Sequence, residues 1–144
     1  MSQQSWDKRF LDLAKVIAGW SKDPSTQVGA VITRGKRIVS VGFNGFAAGI
    51  IDNPDRYTNR EFKLMAILHA EDNAILFAKQ DLEGCMIYIW PAPPCAQCAA
   101  KIIQVGIKRV VSVEPGLLMA NRWQVNFAIA RTMFAEAMVD YIQI

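Results

Sequence analysis

Histidine is nearly absent from this chain of 144 residues, which has one, and cysteine is scarce, with three. Three cysteines cannot make the paired framework that staples small secreted folds. No stretch approaches the roughly 18 to 20 uncharged apolar residues that a membrane helix needs, and the opening MSQQSWDKRF lacks the charged-then-apolar layout of a secretory leader. A cytoplasmic chain that does not engage membranes is therefore expected. Net charge is small as well: 16 Lys and Arg against 13 Asp and Glu leave +3. That balance suits an anionic small molecule and falls far short of the basic footprint of a nucleic-acid binder. What the chain has in quantity is apolar side chain, 52% of residues, enough for a single domain over 1–144 with a well-formed core.

Trp6, Phe10, Leu13, Ile17 and Trp20 recur at helical spacing with charged residues between them, which predicts an amphipathic helix laid on a core. SKDPST ends that helix, because the ring of Pro24 disfavours helical geometry at Asp23. QVGAVIT and RIVSVGF, joined by RGK, read as an antiparallel hairpin, NGFAAGIIDNPD as a loop, and RYTNREFK as a charged stretch with little periodicity. A helix over 69–80 follows, then a strand at CMIYIW, a helix from Cys95 to Gly106, a strand at IKRVVSV, a helix at NRWQVNFAIARTMFAEA and a short last strand in MVDYIQI. Alternation of this kind predicts later strands running parallel through right-handed crossovers, with helices on both faces of the sheet. The C-terminal helix carries Trp123, Phe127, Met133 and Phe134, more large side chains than one face needs, which predicts a subunit contact.

The scarce residues stand at two helix starts. His69 opens HAEDNAILFAKQ with Glu71 two positions on, and Cys95 and Cys98 follow Pro94, one turn apart on a single helix face. A helix N-terminus favours thiolates, and one imidazole with two thiolates makes three ligands for zinc. Structural zinc sites are closed by four protein ligands, whereas catalytic ones keep a position for water. With no second histidine, and with Cys85 on the preceding strand as a core thiol, an open site with one Zn2+ per chain is expected. Glu71 can lie beside the metal without ligating it, placed to move protons to and from an activated water. H-x-E followed by P-C-x-x-C is the pattern of the zinc nucleobase deaminases.

SKDPSTQVGAVI, IVSVGFNGF, HAEDNAILFA, GCMIYIW and PCAQCAAKIIQVGIKRVV, spread over residues 21 to 113, together resemble the deoxycytidylate deaminases of the cytidine deaminase superfamily. The resemblance implies a three-layer α/β/α domain with a five-stranded mixed sheet, zinc ligands His69, Cys95 and Cys98, and Glu71 as proton shuttle. It also implies conversion of dCMP to dUMP for thymidylate synthesis by a homo-hexamer, activated by dCTP with Mg2+ and inhibited by dTTP. Asn44 matches the asparagine of the family's G-[YF]-N-G motif, near the sugar, and Ser25 and Thr26 match a polar pair near the nucleotide pocket. Tyr88, on the strand ahead of the zinc cysteines, is a candidate for stacking on the base, with core packing as its alternative. The candidate donors to a phosphate are the hydroxyls of Ser25 and Thr26, the side chain of Lys22 and the backbone of SKDPST.

The chain departs from the family in places. GIID has Ile50 and Ile51 where many members carry a cysteine, and no further histidine remains, so no second zinc is expected. WPAPP puts Trp90 and Pro91 to Pro93 where many members have threonine, which reshapes a wall of the pocket. Two alternatives stay open on the residues alone. One keeps the chemistry and changes the substrate to another cytidine nucleoside or nucleotide, or to tRNA adenosine; the lack of a basic C-terminal helix speaks against tRNA. The other is a noncatalytic zinc-stabilised interaction module, which needs Cys85 as a fourth ligand and leaves Glu71 without a role.

Overall fold

The computed structural model describes residues 2–144. Helix α1 (Gln3–Ala18) starts at Ser2, whose hydroxyl accepts from the Ser5 amide at 3.2 Å. Phe10, Leu11, Ala14, Ile17 and Ala18 form its buried stripe. The helix stops short of Trp20, which the spacing had placed on it; that ring is exposed and sits edge-on to Phe43.

The expected hairpin is present as β1 (Gly29–Arg34) and β2 (Arg37–Phe43). The segment from there to His69 is more ordered than its pattern predicts: β3 (Gly45–Phe46) and β4 (Ile67–Leu68) pair as a small ribbon around α2 (Pro54–Thr58) and α3 (Arg60–Ala66). Both helices are too short to show a period, and caps define them instead. Asn53 Oδ1 accepts from the Asp55 amide, and Asn59 Oδ1 from that of Phe62. Phe46 packs on Tyr57 and Phe62, with ring centroids 4.6 and 5.5 Å away, and so ties the ribbon to the helices.

The remaining elements are α4 (Ala70–Ala78), β5 (Met86–Trp90), α5 (Ala96–Gln104), β6 (Arg109–Ser112), α6 (Leu117–Arg122), α7 (Gln124–Glu136) and β7 (Asp140–Gln143). Five strands form one mixed sheet in the order β2-β1-β5-β6-β7; the first two pairings are antiparallel and the last two parallel. Successive side chains on a strand point to opposite faces. Val31, Met86, Tyr88 and Val111 accordingly meet Phe10, Leu11 and Ala14 of α1. Their neighbours Ala30, Ile32, Ile87, Ile89 and Val110 belong to the core formed with α4, α5 and α7. This is a three-layer α/β/α arrangement, and β5 is buried on both faces except at its last residue.

Gly42 sets how closely α4 lies on β2. A Cβ there would collide with the Ala74 amide and stand 2.5 Å from the Ala70 carbonyl oxygen, so only glycine allows the helix backbone this close. Under α1, Asp7 is buried and accepts from both guanidinium nitrogens of Arg109 at 2.7 Å, from the Tyr88 hydroxyl at 3.1 Å and from Gln3 at 3.0 Å. At the C-terminal end, three of the four large side chains expected at a subunit contact are turned inward, and Trp123 is half-buried. Phe127 and Phe134 are buried and Met133 packs against the core, because α7 covers α5 and β7. Leu117, Leu118, Val125 and Ile129 are the exposed apolar residues of α6 and α7. Among the described residues, no helix is long and apolar enough to cross a membrane.

Candidate active site

Two helix starts converge on the α4 side of the sheet. The β4 strand runs into His69, which has extended geometry and is the residue before α4; Cys95 has the same relation to α5, and Cys98 follows in the first turn. His69 Nδ1 lies 3.3 Å from Cys98 Sγ and 3.6 Å from Cys95 Sγ. One donor atom from each of the three residues falls within 4.8 Å of the others. Asp72 couples the two helices: Oδ2 accepts from the His69 amide at 3.1 Å and Oδ1 from Lys101 Nζ on α5 at 2.7 Å. Asn126 of α7 steadies the start of α5, its Oδ1 accepting from the Ala96 amide at 2.6 Å.

The three donors lie close enough to shift one another's protonation. The hydrogen bond from Cys98, outweighing burial, pulls the Cys95 thiol down to about 4, with His69 adding to it. The same bond and burial push Cys98 up, and the bond to Cys95 carries His69 up to about 9 against burial. A dication held by the three would favour both thiolates and a neutral imidazole. One imidazole and two thiolates within a few ångströms fit zinc. Cys85 is buried in the core with Ile87 and Ile107 and does not join the group, so among the described residues no third cysteine closes it as a fourth ligand.

Glu71 is only 4% exposed, in the first turn of α4. Burial pushes its carboxyl up to about 7; His69 opposes this and Cys95 adds to it. A carboxyl poised near neutrality can both take and return a proton. Over Glu71, His69 and Cys95 opens a cavity of about 770 Å³, within the range of small-molecule sites.

Ser25, Thr26 and Asn44 also line this cavity, together with Asp23. The Asn44 side chain makes three hydrogen bonds that shape the loop. Its Oδ1 accepts from the Val28 amide at 2.9 Å, and its Nδ2 donates to the Thr26 carbonyl at 2.9 Å and to Asp23 Oδ2 at 3.2 Å. Asp23 Oδ1 in turn accepts from the amides of Ser25 and Thr26 at 2.8 and 3.3 Å. Tyr88 does not reach the cavity and cannot stack on a base there. It is completely buried on the α1 face of β5, with its hydroxyl on Asp7. Lys22 is likewise outside, paired with Asp52. Of WPAPP, Ala92 and Pro93 form cavity wall, whereas Trp90 packs toward α1. Arg60 and Lys63 of α3, and Arg122 and Asn126 from α6 and α7, line the cavity without having been singled out from the sequence. No local motif marks them: Arg60 and Lys63 come to the site on a helix too short to show a period, and Arg122 and Asn126 lie at the start of the expected C-terminal helix, whose pattern does not say what it faces.

Residues 4–114 match the family model of the cytidine and deoxycytidylate deaminase zinc-binding region. An uncharacterised deaminase from the luxG 3′ region of Aliivibrio fischeri is 52% identical over 135 residues, covering 94% of this chain and 90% of its own length. A probable deoxycytidylate deaminase of Caenorhabditis elegans is 38% identical over 142 residues, 95% of this chain and 68% of its own. The dCMP deaminase of cyanophage S-TIM5, solved in complex with dCMP and dUMP, matches the fold with a TM-score of 0.75 over 100% of this chain and 99% of that one, at 19% identity. Because the family model spans the segments that bring His69, Glu71, Cys95 and Cys98 together, and a relative shares half of all residues, this chain belongs to the cytidine and deoxycytidylate deaminase family.

Proposed function

We propose that the protein hydrolyses dCMP to dUMP and ammonia, using one zinc ion per chain held by His69, Cys95 and Cys98. The observation that carries this reading is the placement of buried Glu71 beside the three donors at the base of a cavity of about 770 Å³. Deoxycytidylate deaminases among the relatives, and the phage dCMP deaminase complexed with dCMP and dUMP, support a pyrimidine nucleotide as substrate.

A zinc ion held by these ligands supplies Lewis acidity and makes water a competent nucleophile near neutral pH. Glu71 takes a proton from the attacking water as the bond from oxygen to C4 of the cytosine forms. It gives that proton to ring N3, then takes the second proton from the hydroxyl now on C4 and passes it to the amine nitrogen as the C4–N bond breaks, so that ammonia leaves and the ring keeps a C4 carbonyl. Burial makes this return trip feasible, since a carboxyl held near 7 is neither a fixed base nor a fixed acid. Asp72 and Lys101 keep the two ligand-bearing helices in register. Asp23 and Asn44 hold the loop that presents the Ser25 and Thr26 hydroxyls to the nucleotide.

In this reading residues 1–144 act as one catalytic domain in the cytoplasm and supply thymidylate synthesis. The enzyme is a homo-hexamer whose sigmoidal dCMP saturation curve is made hyperbolic by dCTP with Mg2+ and suppressed by dTTP. Exposed Leu117, Leu118, Val125 and Ile129 offer apolar surface for the subunit contact. The decisive test compares kcat/KM for dCMP, deoxycytidine, CMP and an RNA stem-loop. Preference for dCMP over deoxycytidine by several orders of magnitude is expected; equal turnover of the two overturns the nucleotide assignment.

A further inference from the structure

Three basic side chains line the cavity besides His69: Arg60 and Lys63 of α3, and Arg122 at the end of α6. They differ in what already holds them. Lys63 Nζ lies 3.0 Å from Asp23 Oδ1 and 2.9 Å from Asp23 Oδ2, and that ion pair is largely buried. Arg60 and Arg122 are exposed, and neither makes a hydrogen bond, ion pair or ring contact with any described residue.

Of the other donors proposed for an anion, the Ser25 and Thr26 hydroxyls line the cavity but carry no charge, and the rest are occupied or elsewhere. The Ser25 and Thr26 amides donate to Asp23 Oδ1, and Lys22 pairs with Asp52 outside the cavity. The two carboxylates lining the cavity do not call for these guanidinium groups either. Asp23 is answered by Lys63 and by the loop amides, and Glu71 is buried next to His69. The cavity thus has a base suited to an uncharged ring and two unengaged cations from separate segments of the chain. A guanidinium presents paired N–H donors that match a phosphate monoester and stays charged at every working pH.

We propose that Arg60 and Arg122 clamp the 5′-phosphate of the substrate and set the preference for a nucleotide over a nucleoside. Lys63 is a positioning residue that acts through Asp23. The clamp rests on the reading of the chain as a dCMP deaminase, and the two can fail separately.

The test uses zinc-loaded full-length protein in wild-type form and as Arg60→Gln, Arg122→Gln and the double variant. Two quantities are measured: the ratio of kcat/KM for dCMP to that for deoxycytidine, and calorimetric affinity for dUMP and deoxyuridine. Each single substitution should lower the kcat/KM ratio by about 10- to 100-fold, the range of a charge-assisted hydrogen bond. Affinity for dUMP should fall by a similar factor relative to deoxyuridine. Arg→Lys at either position should recover part of the loss, as a point charge without the fork. A wild-type preference for dCMP that survives in the double variant overturns the clamp alone. A fall of the same size for substrates with and without phosphate also overturns it, since the damage would then lie in the fold. A wild-type enzyme with no preference overturns the nucleotide reading and the clamp with it.

Discussion

On the α1 face of the sheet Asp7 is 2% exposed, and on the α4 face Glu71 is 4% exposed, yet the two carboxyls are driven in opposite directions. Burial pushes Asp7 upward, but Arg109, Gln3 and Tyr88 outweigh it and hold the group below its ordinary 3.8. Glu71 has no Lys or Arg bonded to it, and burial carries it up to about 7. Similar surface exposure therefore does not by itself set the direction in which a carboxyl is driven. What separates the two is whether the surroundings answer the charge within the protein, as a bidentate guanidinium does for Asp7, or leave the demand to a metal and a substrate. The first cluster ties α1 to β5 and β6; the second, in the proposed function, exchanges protons.

The sharpest way to break the contrast is at Glu71. Glu71→Ala should reduce dCMP turnover by at least about 10²- to 10⁴-fold, while elemental analysis still finds about one zinc per chain. Loss of zinc would make Glu71 a ligand and remove the contrast. Cys98→Ala should lose the metal along with activity.

Asp7→Ala should act on stability and leave the ratio of dCMP to deoxycytidine turnover where it was. Leaving Arg109 without its partner should cost about 3 kcal/mol or more in denaturant unfolding. The pH dependence follows from the lowered folded pKa. The folded state favours the ionised form, so the contribution is fully present above the ordinary value of 3.8 and is lost as pH falls through the lower folded value. Wild type and Asp7→Asn should accordingly converge in stability below about pH 4. A stability gap that persists undiminished into stronger acid would show that Asp7 does not carry its charge in the fold.

The smallest effect belongs to Tyr88→Phe. Removing one hydrogen bond to Asp7 should cost about 1 kcal/mol of stability with no change in KM for dCMP. A raised KM would return Tyr88 to the substrate, against its position under α1.

How far each part could be read beforehand follows from the range of the interactions involved. His69, Glu71, Cys95 and Cys98 were legible because each pair lies within one helical turn, where spacing alone sets which side chains share a face. The alternation along β5 separated Tyr88 from Ile87 and Ile89, but not which helices would cover each side. That depends on the path of the crossovers, and it placed Tyr88 away from the zinc ligands. α3 has 7 residues, too few for a period, and brings Arg60 and Lys63 to the cavity; Arg122 closes the 6-residue α6 instead of opening one continuous C-terminal helix.

By itself, the sequence determined the chemistry: three soft donors and one carboxylate, held in two short motifs at helix starts, whose local geometry hardly depends on the rest of the chain. Tertiary structure decided which charges stay unanswered. Whether Asp7 meets Arg109, 102 positions away, or Lys63 meets Asp23, 40 positions away, depends on long-range packing that no local pattern encodes. Those pairings leave Arg60 and Arg122 as the unengaged cations at the cavity.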